Sequence, residues 1–126
     1  MRLAAQRVAH RLKLLTIGKD REDPKTWRDV AERLVIGVAG FDDHRAMHGC
    51  LTFIEAHDRW VIELNTFLKP RMQARILIHE LAHYLLRTML GIWLCDDQTV
   101  YHYDGRVDDM RHRIARRVER LVLGSC

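Results

Sequence analysis

Residues 76–86 read Ile-Leu-Ile-His-Glu-Leu-Ala-His-Tyr-Leu-Leu, and the only ionisable side chains among them are His79, Glu80, His83 and Tyr84. Wound as a helix, this stretch is apolar on every side, so it belongs at the centre of a fold. Two imidazoles and a carboxylate buried there without partners are costly. A shared metal ion removes that cost. On a helix, residues i and i+4 project from one face about a turn apart, so His79 and His83 reach the same ion. Zinc in a hydrolytic site takes three protein ligands and keeps one position open for water, whose pKa it lowers towards neutrality. Glu80 then lies beside that position, where a carboxylate serves as general base. With 8 His and 6 Glu in the chain, one accidental HExxH has a chance of about 2%, which leaves the apolar setting to decide for a buried site.

The rest of the sequence fits around such a helix. A length of 126 residues gives one domain, 1–126, with no room for a second full core. No apolar run reaches the roughly 18 residues of a membrane span, and the N-terminus carries no pattern of a secretion leader. The three cysteines, Cys50, Cys95 and Cys126, form no CxxC pair, which argues against a disulfide framework and for a reducing, cytoplasmic setting.

Apolar spacing predicts a helix over 2–15, with Leu3, Ala4, Val8, Leu12 and Leu15 on one face. A polar linker over 16–23 contains Gly18. Asp23-Pro24 opens a second helix, with Asp23 as cap and Pro24 in the first turn; Trp27, Val30, Ala31 and Leu34 form its buried stripe. Strands are expected over 35–39, 47–54 and 60–65, the last two joined as a hairpin through a polar turn at 56–59. Lys69-Pro70 starts the motif helix, which Gly91 ends. A closing helix over 107–123 carries Val107, Met110, Ile114, Val118 and Leu121 on its apolar stripe. These elements define an α+β domain: two N-terminal helices, a three-stranded, mainly antiparallel sheet, the motif helix and a C-terminal helix.

The third metal ligand is expected on the closing helix. Asp109 adjoins Met110 on the core stripe and is the first choice. Asp108 and Asp109 also suit a helix's first turn, where the dipole favours carboxylates. His112, one turn after Asp108, is an alternative, and His102 and Asp104 in the preceding loop are weaker ones. Tyr84, Tyr101 and Tyr103 are considered as oxyanion stabilisers, with Tyr84 expected to be packed instead, and His48 as a residue bordering the cleft. Arg111, Arg113, Arg116, Arg117 and Arg120 make the closing helix basic, within a net charge of +4. Without a DNA-reading motif, such a face is first a solvated one and only second a nucleic-acid surface.

The order of elements resembles the ImmA/IrrE family of small zincin-like metallopeptidases. Residues 29–38, Asp-Val-Ala-Glu-Arg-Leu-Val-Ile-Gly-Val, look like that family's second helix and first strand. Residues 60–65, Trp-Val-Ile-Glu-Leu-Asn, look like the strand before its active-site helix, and residues 75–86 match that helix closely. The resemblance implies a cytoplasmic zinc (Zn2+) metalloprotease: His79 and His83 as ligands, Glu80 as base, and an acidic third ligand on the next helix. There this chain offers Asp109 where the family has glutamate. It implies hydrolysis of a peptide bond in a protein substrate by Glu-assisted attack of zinc-bound water. Family members occur in phage, mobile-element and stress-response settings, and several act on helix-turn-helix transcriptional repressors, which names the substrate class. The competing expectation is a zinc-stabilised binding or regulatory protein without catalysis, associated with nucleic acid through the basic helix.

Overall fold

The computed structural model describes residues 2–42, 49–91 and 110–124. Helix α1 spans Arg2–Leu15 and buries Ala5, Val8, Ala9 and Leu12, an i, i+3, i+4, i+7 stripe. Helix α2, Pro24–Arg33, begins as its sequence dictates: the Asp23 side chain accepts from the Lys25 amide and Pro24 occupies the first turn. Trp27 is fully buried, and its indole N–H donates to the Arg21 carbonyl at 2.8 Å. The end of α2 is less expected. The Ile36 amide donates to the Ala31 carbonyl and the Val35 amide to that of Glu32, the paired bonds of a Schellman motif. Val35 therefore takes the left-handed conformation, with φ 61°. That is why the first strand starts two residues later than the apolar pattern suggests.

The sheet comprises β1 (Gly37–Phe41), β2 (Gly49–Ile54) and β3 (Arg59–Asn65), in the order β1-β3-β2. Strands β2 and β3 pair antiparallel through a 3-10 turn at Glu55–His57, as the hairpin pattern predicts. Strand β1 runs parallel to β3, with Gly37 opposite Val61 and Phe41 opposite Asn65. The sheet is therefore mixed rather than mainly antiparallel: β1 lies on the opposite edge of β3 from β2, where no hairpin turn forces the antiparallel direction. Leu51, Ile62 and Leu64 point into the core.

Helix α3, Pro70–Leu90, packs against α1, α2, α4, β2 and β3. This explains its apolar girth. Leu77, Ile78 and Leu81 are fully buried, and each such burial contributes about 1.5–3 kcal/mol. That outweighs the few tenths of a kcal/mol a β-branched residue costs in a helix. Gly91 ends α3 with φ 69°. Its start is tied to the end of β3 by the buried Gln73, whose amide donates to the Thr66 and Leu68 carbonyls. Gly49 lies where β2 passes closest: a Cβ there would come within 2.9 Å of Ile76 and 2.7 Å of the Glu63 carbonyl oxygen. Helix α4, Met110–Leu123, sets Ile114, Ala115, Val118 and Val122 into the core between α1 and α3. Among the described residues no helix is long and apolar enough to cross a membrane.

Candidate metal centre

Helix α3 carries His79, Glu80 and His83 in its middle turns, held rigidly by its packing on five neighbouring elements. The ring Nε2 atoms of His79 and His83 stand 3.2 Å apart. From α4, His112 brings its Nδ1 to 3.5 Å from the same His79 Nε2. The three rings enclose one point, and one ring nitrogen from each lies within 4.8 Å of the others. His83 is buried, while His79 and His112 are partly so. This triad can hold a metal ion.

The protonation pattern supports that reading. Glu119, one of the few buried charged residues, accepts a hydrogen bond of 2.6 Å from His79 Nδ1. Its other oxygen meets Arg75 at 3.3 Å. With the Nδ1 proton committed to Glu119, the neutral imidazole of His79 turns its Nε2 lone pair towards His83 and His112. A carboxylate behind a histidine is the usual device for fixing tautomer and ring orientation in a metal ligand. Converging ring nitrogens need a proton or a cation between them, since lone pairs alone repel.

The electrostatics of the metal-free site favour the proton. Burial alone disfavours a charge on His79, and Arg116 adds to that. The Glu119 hydrogen bond and the carboxylates of Glu80 and Glu119 outweigh both, so its pKa is raised. Glu80 is partly buried. Burial chiefly, and the Glu119 charge secondly, push its carboxyl upward against the opposing pull of His79. A carboxylate with a raised pKa is a stronger base than an exposed one.

Of the residues singled out from the sequence, His79, His83 and His112 thus come together, and the charge of Glu80 acts on His79. Asp109, Asp108, Asp104, His102, Tyr101, Tyr103 and His48 lie outside the described residues. Tyr84 packs edge-on to Trp60, with ring centres 6.4 Å apart, and Arg87 covers the same indole at 4.6 Å. The sequence reading did not single out Glu119. Its signal is visible in retrospect. It is the sole acid within α4 and stands seven residues after His112, two turns along the same face.

Comparison with protein-family models, with curated proteins and with solved structures gives no match to any of them. The chemistry of the site therefore rests on its own geometry.

Proposed function

We propose that this chain is a zinc metallopeptidase resembling the ImmA/IrrE type, an endopeptidase that hydrolyses a peptide bond in a protein substrate. The carrying observation is the closure of the HExxH helix by His112, with Glu80 beside the triad and Glu119 behind it. Tetrahedral zinc, with Zn–N bonds of about 2.0–2.1 Å, sets its ligand nitrogens roughly 3.4 Å apart. The spacings of 3.2 and 3.5 Å about His79 Nε2 lie near that value, within a set whose nitrogens spread over up to 4.8 Å. Borderline-soft imidazole ligands also suit zinc better than calcium or magnesium. We take His112 as third ligand in place of Asp109.

The chemistry zinc supplies when bound is Lewis acidity towards water and a substrate carbonyl. The protein's own groups do the rest. His79 and His83 are fixed by α3, and Glu119 holds the His79 ring in the tautomer that frees Nε2. Glu80, one residue from a ligand, accepts the proton of the attacking water and hands it to the leaving amine. A helix-turn-helix repressor is the substrate class the family resemblance suggests.

The test has two parts. The purified chain should carry about one zinc per molecule, or bind it tightly when it is added. Glu80→Gln should keep the metal and lose at least 100-fold in peptide-bond cleavage, the usual range for removing a general base. A chain that neither holds zinc nor is stabilised by it sinks the proposal. The second reading is a zinc-stabilised binding protein. What favours it is the three-histidine set, which departs from the acidic third ligand of the resembling family. Glu80-dependent cleavage of a partner would eliminate it.

A further inference from the structure

Arg75 lies one turn before His79 on the same face of α3. Glu119 reaches across from α4 and divides its carboxylate between them. One oxygen accepts from Arg75 Nη1 at 3.3 Å, and the other accepts from His79 Nδ1 at 2.6 Å. The Glu119 side chain is 9% exposed and that of Arg75 24%. Little of the carboxylate therefore meets water, and these two bonds set the plane in which it lies.

An ion pair that only braced α3 against α4 would make no use of this division. Either oxygen would serve the guanidinium, and buried pairs of that kind add little stability beyond the cost of dehydrating them. Helix α4 also has other anchors, since Ile114, Ala115 and Val118 are buried under it. What the pair adds is orientation. A glutamate held at one oxygen alone turns about its last side-chain bond, a torsion with broad preferences. Anchored by Arg75 at the other oxygen, it meets His79 from one direction.

We propose that Arg75 is a positioning residue for the metal centre. By holding one oxygen of Glu119 it aims the other at His79 Nδ1, and so fixes the ring whose Nε2 faces His83 and His112. The inference rests on the metal-binding reading of the triad and holds whether or not the site cleaves peptides. Charge and position give opposite expectations for Arg75. A guanidinium repels a nearby divalent cation, so by charge alone its removal strengthens metal binding. By position its removal weakens binding, because the support behind a ligand loosens. Glu119 already balances the charge of Arg75 at close range, which leaves a small net field at the triad, and position prevails.

The test is zinc titration of the full chain against a chromogenic chelator. The parent is compared with Arg75→Gln, Arg75→Lys, Glu119→Gln and the double variant of Arg75→Gln with Glu119→Gln. Arg75→Gln should weaken zinc binding about tenfold, the lower end of the range for residues behind a ligand. Arg75→Lys keeps a cation and a donor for the same oxygen, and should recover most of that loss. In the Glu119→Gln background, Arg75→Gln should change affinity by about twofold or less, since the residue it acts through is gone. The double variant leaves neither partner's charge unpaired, so this comparison stands even if Arg75→Gln alone folds poorly. Melting curves of the zinc-free chains show which variants are folded. A parent that binds no zinc fails the metal reading and this proposal with it. A parent that binds zinc, with Arg75→Gln equal to it or tighter, overturns the proposal alone. So does a loss that persists in full beside Glu119→Gln, the result expected if Arg75 merely braces the helices.

Discussion

The contact between His79 and Glu119 determines how well the triad can receive an ion. With its Nδ1–H bonded to a buried carboxylate, His79 offers a single, oriented lone pair. Glu119→Gln keeps the shape but removes the charge that fixes this tautomer. Zinc affinity should fall about 10–100-fold, the usual range for such supporting residues, while far-ultraviolet circular dichroism stays unchanged. An affinity that does not move would show that Glu119 serves Arg75 alone. The same residues predict a pH dependence. In the metal-free protein the pKa of His79 is raised, so its stabilising contribution is full below the unfolded imidazole value, about 6.5, and is lost as pH rises through the folded value. Glu80 has the same sign. Its carboxyl is also raised, so its contribution is full below the unfolded value of about 4.3 and declines above it. Metal-free protein should therefore melt lower at pH 8 than at pH 6. Zinc held at His79 would compete with that proton, so its affinity should rise over the same interval. Melting curves with and without zinc at the two pH values check this, and a zinc-induced gain equal at both would refute it.

Among the elements, the junction of α2 and β1 carries the clearest local conflict. Val35 is β-branched, left-handed and 70% exposed. The left-handed conformation costs an L-residue roughly 1–2 kcal/mol, and exposure means that little packing repays it. Ile36, by contrast, is buried at 2%, and seating it requires the sharp reversal at Val35. Val35→Gly should stabilise the fold by about 0.5–1 kcal/mol once glycine's own entropic cost is subtracted. Denaturant unfolding measures it directly, and destabilisation would mean that the valine side chain makes a contact that matters. The other element boundaries follow ordinary chemistry: the Asp23 cap, Pro70 at the start of α3 and Gly91 at its end. They were legible because each signal acts within a few residues.

Across the whole molecule, an ion at the triad would add a further link between α3 and α4, helices already joined by the apolar stripe of Ile114, Ala115 and Val118 and by the bonds of Glu119 to His79 and Arg75. Binding to the folded state alone adds about 2.7 kcal/mol when free metal exceeds the dissociation constant 100-fold. Chelation should therefore lower the melting temperature by roughly 10 °C for a domain of this size. Hydrogen exchange should quicken more in α4 than in β3, because α4 contributes His112 to the triad and the central strand contributes nothing to it. Equal loss of protection in both would show that the metal supports the fold as a single unit.

The motif helix, its central place and the pairing of His79 with His83 were determined by the sequence itself. A 3.6-residue repeat places i and i+4 together whatever surrounds them, and an all-apolar helix has nowhere to go but inside. Strand direction was not so determined. Whether β1 runs parallel or antiparallel to β3 depends on where the tertiary fold places β1, which here takes the edge of β3 opposite β2, and alternating side chains look the same either way. The partners supplied by α4 were likewise a tertiary decision. His112 was one of several ligands the sequence allowed and Glu119 was not foreseen, because the approach and rotation of α4 are set by its packing between α1 and α3. That docking turns His112 and Glu119 towards the HExxH histidines.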